Sequence, residues 1–301
     1  MARIFITGSS DGLGLMAGKL LIEQGHEVVL HGRNEARRRD ALAAAPGAQS
    51  AVSGDLSTLA GITSVADEVN RLGRFAAVIH NAGIGYREPR RVETELGLPN
   101  VFAVNVLAPY VLTALIQKPD RLIYLSSGMH HGVQSRMDDL LWTRRSWNGS
   151  SAYAESKLCD VVLAFAVARR WPNVLSNALE PGWVPTKMGG PSAPGDMTKA
   201  HLTQVWLAVS DDPLARSSGE YFYHQQLRSP NPIARDAKVQ DELIAECARI
   251  SGVSFPNEGP DQTEHTLTNP FTGIYSSPGC SSNRLDCQRT VMDADYTDAC
   301  F

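Results

Sequence analysis

An alternation along the chain limits what it can fold into. Seven short runs rich in β-branched and other apolar residues recur: Arg3 to Thr7, Glu27 to His31, Ala48 to Ser53, Ala76 to His80, Arg121 to Ser126, Val174 to Leu179 and Glu220 to Tyr223. Longer stretches with helical spacing separate them. In Leu13 to Gln24, the residues Leu13, Met16, Ala17, Leu20 and Leu21 make one apolar face; Ala154 to Trp171 does the same with Leu158, Val161, Val162, Phe165 and Ala168. Strands alternating with helices imply βαβ units and a parallel sheet covered on both faces. Right-handed crossovers then give a single-domain α/β fold, a doubly wound, Rossmann-like parallel sheet of about seven strands. No internal repeat of solenoid period is present.

The alternation stops near Pro256. Lys238 to Ile250 still reads as a helix, with Val239, Leu243, Ile244, Cys247 and Ile250 on one side, whereas Asn257 to Phe301 is rich in Ser, Thr, Asn, Asp, Gly and Pro. That segment holds seven acids and two bases, a net charge of -5, so that residues 1–256 carry +1 of the chain's total of -4. The expected organisation is a catalytic domain over 1–256 and a disordered acidic tail over 257–301. The functional alternative for the tail is a lid or partner-binding segment.

Composition excludes several classes. A near-neutral domain within a chain of pI about 6.1 argues against a protein built to clamp a nucleic-acid backbone, though not against a local pocket for a phosphorylated cofactor. Cys159, Cys247, Cys280, Cys287 and Cys300 form no CxxC pair or Cys/His cluster, so no metal framework is expected. The longest apolar run, Val161 to Ala168, is too short to span a bilayer, and the amino terminus carries no signal-peptide pattern. No membrane association and a cytoplasmic location are the expectation. Asn148-Gly149-Ser150 matches a glycosylation sequon and reads as coincidence.

The first strand runs into Thr7-Gly8-Ser9-Ser10-Asp11-Gly12-Leu13-Gly14, and a helix follows. Gly8 permits a sharp turn, Gly12 lets backbone approach a pyrophosphate, and Gly14 lets helix pack on strand. The helix amino terminus then presents free N–H groups and a positive dipole to the phosphates. A dinucleotide site selective for NAD usually carries an acid at the end of the second strand, for the ribose 2′-hydroxyl. Here Val28-Val29-Leu30 leads into His31-Gly32-Arg33-Asn34, with no acid. Arg33 stands where a 2′-phosphate would lie, and its guanidinium matches phosphate geometry. NADP(H) is therefore the expected cofactor. Arg37, Arg38 and Arg39 read as solvated.

Tyr153-Ala154-Glu155-Ser156-Lys157 places a phenol and an ammonium on one helix face. A lysine there favours the phenolate and is expected to lower the tyrosine pKa from about 10, for proton exchange with a substrate oxygen.

Together these motifs resemble the short-chain dehydrogenase/reductase family over residues 1 to about 256. The family pattern is a T-G-x-x-x-G-x-G loop, N-A-G after the fourth strand, Asn in the next helix, Ser after the fifth strand and Y-x-x-x-K. The chain has Thr7-Gly8, Gly12 and Gly14; Asn81-Ala82-Gly83; Asn105; Ser126-Ser127; and Tyr153 with Lys157, in that order. Pro181-Gly182-Trp183-Val184-Pro185-Thr186 is similar to the family's nicotinamide-side loop.

The resemblance implies roles. Tyr153 would be the acid in carbonyl reduction and the base in alcohol oxidation. Lys157 would bind the nicotinamide ribose, Ser127 would hydrogen-bond the substrate oxygen, and Asn105 would anchor a water linking Lys157 to solvent. Asp55-Leu56 would lie beside the adenine, with a helix cap as the alternative for Asp55. Asn81, Ala82 and Gly83 would line the cofactor, along with Pro181 and Gly182. Thr186 would bond the cofactor near its nicotinamide-side phosphate, and the Val184 backbone its carboxamide. His130 and His131 read as loop or packing residues.

The 26 residues from Ser127 to Tyr153 exceed the family's common spacing, and the insert contains Met137-Asp138-Asp139-Leu140-Leu141-Trp142. This resembles the retinol dehydrogenase and protochlorophyllide reductase subgroup. The implied substrate is a small-molecule carbonyl or alcohol, bulky and apolar. Trp142, Trp147, Trp183, Met188 and Trp206 read equally as pocket lining or as packing. Gly189 to His201 corresponds to the family's mobile lid, and the long helix bearing Tyr153 is where the family self-associates. The reading is an NADPH-dependent reductase of a ketone or aldehyde. The rivals are an NAD(P)-linked alcohol dehydrogenase working toward oxidation and a non-catalytic NADP-binding sensor. A sugar-nucleotide epimerase shares the fold and the Tyr/Lys pair, but usually adds a larger substrate domain.

Overall fold

The computed structural model describes residues 1–134 and 138–256. The tail expected over 257–301 and Met137 of the insert lie outside the described residues.

Among the described residues, eight strands form one sheet: β1 (Arg3–Ile6), β2 (Glu27–Gly32), β3 (Ser50–Ser53), β4 (Ala77–His80), β5 (Arg121–Leu125), β6 (Leu175–Glu180), β7 (Tyr221–Tyr223) and β8 (Gln226–Leu227), in the order β3-β2-β1-β4-β5-β6-β7-β8. Neighbours from β3 to β7 are parallel; β8, which the sequence reading missed, returns antiparallel on β7. Its two residues are too short to show a period. The positive-φ pair His224 and Gln225 makes the turn before it.

Strand side chains alternate between the two faces. Ile4, Ile6, Val28, Leu30, Ala77 and Ile79 meet one core with α1 (Gly12–Glu23), α2 (Glu35–Ala44) and α7 (Leu202–Val209). Phe5, Val29, Val52, Val78 and Leu122 meet the other with α3 (Leu59–Arg71), α5 (Ala108–Leu115) and α6 (Gly149–Arg170). Both faces are thus dry, as a parallel sheet requires. Each fully buried Val, Leu, Ile or Phe contributes roughly 1.5–3 kcal/mol.

Two helices differ from their expected form. The buried face of α1 is Gly14, Ala17, Gly18 and Leu21, because Gly18 lets the helix close on Leu30 of β2 and Gly14 lets it close on Asn81 and the glycine loop. α6 begins five residues before Ala154, at Gly149, where the Asn148 side chain accepts from Ser151 N–H. The apparent sequon is a helix cap, and Tyr153 lies in the second turn rather than at the start. Between α4 (Asn100–Phe102) and α5 the helix widens into a π turn over Ala103–Leu107. α8 (Ala237–Ser251) packs on α6 and α5 and ends at Gly252, whose φ of 70° is left-handed. No described helix is long and apolar enough to cross a membrane.

The strand order reverses between β1 and β4. In doubly wound sheets the crevice outside the carboxyl ends of such strands binds ligand.

Candidate active site

A cleft of about 520 Å³ opens at that reversal. Gly8, Asp11, Gly12 and Leu13 line one side, Asn81, Ala82 and Gly83 the floor, and Ser127, Tyr153 and Lys157 the far wall. Pro181, Gly182, Val184 and Thr186 close the side after β6.

The glycine loop is held by side chains it does not show to the cleft. Thr7 Oγ1 accepts from the N–H groups of Asn81 and Ala82, both at 3.0 Å. Ser9 Oγ donates to Ile6 O and accepts from His31 N–H. Ser10 is buried, so Thr7, Ser9 and Ser10 scaffold the loop rather than line the cleft. Gly8 has φ 60°, and a Cβ there would lie 2.8 Å from Ala82 Cα; at Gly14 it would lie 2.5 Å from Asn81 Nδ2. Gly12 has φ 54° and faces open space.

Asp11 occupies the cap position of α1 without capping it, and the first turn carries no acid. The helix N–H groups are therefore left for an anion. This open end, glycine-walled and beside a void, fits a dinucleotide pyrophosphate. Asp11 Oδ2 instead binds Arg37 at 2.6 Å and Lys187 at 2.9 Å. Arg37 is thus paired and not freely solvated, and Arg38 bonds Ala51 O. Arg33 is exposed and has no ion pair among the described residues.

Arg33, Asp55 and Leu56 lie outside the cleft lining, at the carboxyl ends of the adjacent strands β2 and β3. Asp55 Oδ1 accepts from Ser57 N–H and Oγ, whereas Thr58 caps α3; Leu56 is in the core. Asp55 therefore turns the chain ahead of α3 and is not its cap.

On the far wall, the π turn carries Asn105 into the interior, where its Oδ1 accepts from Ile84 N–H at 2.8 Å and its Nδ2 donates to Ile84 O and Ser156 Oγ. Gly83 leaves the space that Lys157 Nζ and Asn105 Oδ1 both border, 3.3 and 3.5 Å from where its Cβ would stand. Ser127 follows β5 and lines the cleft wall with Tyr153, its Oγ accepting from Met129 N–H at 3.3 Å. Ser126 is engaged elsewhere, donating to Lys157 O at 2.6 Å.

Tyr153 is buried, and burial raises its phenol above the usual value. Lys157 and Ser127 act downward, Lys157 in the expected sense, without offsetting burial, and Asp160 and Tyr86 add to the rise. Lys157 Nζ donates to Asp160 Oδ2 and to Leu125 O, each at 2.8 Å. Burial works against this ammonium, but Asp160 and Tyr153 together outweigh it, so the lysine stays charged. The sequence reading missed Asp160, although its i+3 spacing from Lys157 on one helix was the available signal.

Of the large apolar residues, Trp183 and Met188 line the cleft with Tyr86 and Met129. Trp142 and Trp147 pack edge to face in the small core behind Tyr153, with Arg145 stacked on Trp142. Trp206 packs on Phe222. His130 is buried, bonded to Ser127 O and Asn231, and has a packing role.

The fold, the glycine-walled helix end and the Ser–Tyr–Lys wall define a nicotinamide-dependent oxidoreductase. The short chain dehydrogenase family model matches residues 2–196. An uncharacterised oxidoreductase of Emericella nidulans is 46% identical over 261 residues, covering 85% of this chain and 99% of that protein. Human retinol dehydrogenase 13 is 30% identical over 286 residues, covering 84% and 86%. A crystal structure of an uncharacterised protein from Mycobacterium paratuberculosis superposes with a TM-score of 0.73 at 23% identity, over 85% of this chain and 95% of that one. The chain belongs to the short-chain dehydrogenase/reductase family and is an enzyme of that family, similar to its retinol dehydrogenase-like members.

Proposed function

We propose that this enzyme reduces a bulky, apolar ketone or aldehyde to an alcohol with NADPH. The observation that carries this reading is the Tyr153 phenol, held in its protonated state by burial and standing with Ser127 on the wall of an apolar cleft. A protonated phenol is what a carbonyl oxygen needs as negative charge develops on it.

A nicotinamide bound across the Pro181–Thr186 side would supply the hydride. The chain's own groups do the rest. Ser127 orients the carbonyl oxygen, Tyr153 gives it a proton, and the third N–H of Lys157 is left for the cofactor ribose. Asn105 and Gly83 border the space through which a water would return the proton. Tyr86, Met129, Trp183 and Met188 would exclude water from an apolar substrate. The absence of an acid after β2 and the exposed Arg33 support NADPH over NADH.

The test is NADPH consumption against a panel of bulky ketones and aldehydes, with Tyr153→Phe as control. Turnover lost in Tyr153→Phe with cofactor binding retained is the expected result. Tight cofactor binding without turnover of any carbonyl would favour a sensor instead.

A further inference from the structure

Asp160 stands one helical turn beyond Lys157 on α6, with both side chains about 95% or more buried: 5% exposed for Lys157 and 3% for Asp160. Two of the ammonium's three N–H groups are fixed by Asp160 Oδ2 and Leu125 O. The third is left on the cleft side, where Lys157 forms part of the wall and borders the space over Gly83. The ammonium lies 5.8 Å from the Tyr153 ring centroid. A charge that close draws the proton from a phenol, unless a counter-charge is paired with it.

We propose that Asp160 is a positioning residue for the acid–base pair: by pairing with Lys157 it aims the remaining N–H at the cofactor side and keeps Tyr153 as a proton donor. The proposal deepens the reading of Tyr153 as an acid and rests on it.

The surroundings leave this carboxylate as the counter-charge. Along α6, Cys159 and Glu155 are its neighbours, and Glu155 is bound by Arg145. From β5, Tyr124 faces Asp160 with its hydroxyl bonded to Thr113 and its ring stacked on His80. From the loop after β4, Tyr86 faces Tyr153, and from β7, Tyr221 does. Lys157 is the cation that acts on both Asp160 and Tyr153. Removing the carboxylate would therefore leave Tyr153 as the partner that holds the ammonium charged against burial, and leave that charge acting on the phenol with no counter-charge beside it.

The sign follows. In Asp160→Asn, an amide oxygen still accepts from Lys157, but the negative charge is gone. The Tyr153 phenol then ionises at lower pH. The alkaline fall of carbonyl reduction and the acidic rise of alcohol oxidation both move the same way.

The deciding measurement is the ultraviolet tyrosinate titration of the cofactor-free, full-length enzyme, with Tyr153 assigned by subtracting the Tyr153→Phe trace. It needs neither substrate nor turnover, so its outcome is independent of whether the substrate is a carbonyl. The expected result is a downward shift of about one pH unit in Asp160→Asn, with Asp160→Glu keeping the parent midpoint. Asp160→Ser, smaller and also neutral, serves if the Asn variant does not fold. An unmoved Tyr153 midpoint in a folded neutral variant would overturn the proposal and leave Asp160 a packing residue. The pH profile of NADPH-linked reduction should shift in parallel; a purely structural loss would lower the rate without moving it.

Discussion

Lys187 Nζ lies 2.9 Å from Asp11 Oδ2, joining the loop after β6 to the glycine loop across 176 residues of sequence. Arg37 binds the same carboxylate oxygen from α2. The one acid in the glycine loop is thus covered by two cations, where an anionic pyrophosphate is expected.

Loss of Lys187 should therefore act on cofactor and not on stability. Its side chain is largely exposed, and such a pair contributes about 0–1 kcal/mol to folding. Lys187→Ala should leave Tm unchanged. NADPH should bind a few-fold more weakly, on the order of 1 kcal/mol or less, because Asp11 then repels the phosphates and the two loops are no longer tied. Fluorescence titration of the variant with NADPH checks this; unchanged affinity would mean that Arg37 alone covers Asp11.

Arg33 sets a separate expectation at the adenosine end. It is exposed and has no ion pair among the described residues, which suits a guanidinium kept for a 2′-phosphate. Arg33→Asp should lower kcat/KM for NADPH by about tenfold or more, a loss of about 1.4 kcal/mol, and raise it for NADH. Equal use of both cofactors by the parent enzyme would refute the assignment.

What the sequence made legible, and what it did not, has a physical pattern. The glycine loop and the Tyr153–Lys157 pair could be picked out because each is a short motif at fixed spacing, whereas Ser127 could be picked out through the family resemblance at the end of β5. The strands β1 to β7 could be read because both faces of a parallel sheet are buried, so each strand is a dense apolar run. The contacts that set the charge state of the site could not be read. Asp160 resembles an ordinary helix-face ion pair until its burial is known. His31 reaches Gly8, and Lys187 reaches Asp11, only through the strand order. Asn148 shows that a residue can carry a cap signal and a sequon at once, and only the fold tells which applies.

His31 gives a pH dependence. Its Nδ1 accepts from Gly8 N–H at 3.0 Å, so the ring proton is on Nε2, which donates to Gly54 O at 3.0 Å. Burial holds this histidine down to about 4, against its ordinary value of 6.5. The folded protein keeps it neutral while the unfolded chain takes up a proton below pH 6.5, so its contribution is complete above that pH. It is lost as pH falls from about 6.5 to about 4, at roughly 1.4 kcal/mol per pH unit, about 3 kcal/mol in all. His80 (about 3) and His130 (about 4) are lowered by burial too, and act in the same sense. Urea unfolding at pH 7 and pH 5 should show a clear loss at the lower pH, smaller in His31→Gln. Stability independent of pH over that range would contradict the burial of these rings.

The carboxyl boundary of the folded unit gives the last expectation. Phe255 stacks on the fully buried Trp171 with centroids 4.9 Å apart, and Trp171 Nε1 donates to Pro256 O at 3.0 Å. Tyr110 donates to Val253 O at 2.8 Å, so the segment from Val253 to Pro256 is fastened to both α5 and the end of α6. A chain ending at Pro256 keeps all of these contacts and should keep stability within about 0.5 kcal/mol, and keep NADPH binding. A chain ending at Gly252 removes Phe255 and both hydrogen-bond acceptors. It should lose about 3–5 kcal/mol, the scale for deleting a buried aromatic side chain. Thermal unfolding of the two chains beside the full-length protein makes the comparison. Equal loss in both would place the boundary of the folded unit beyond Pro256.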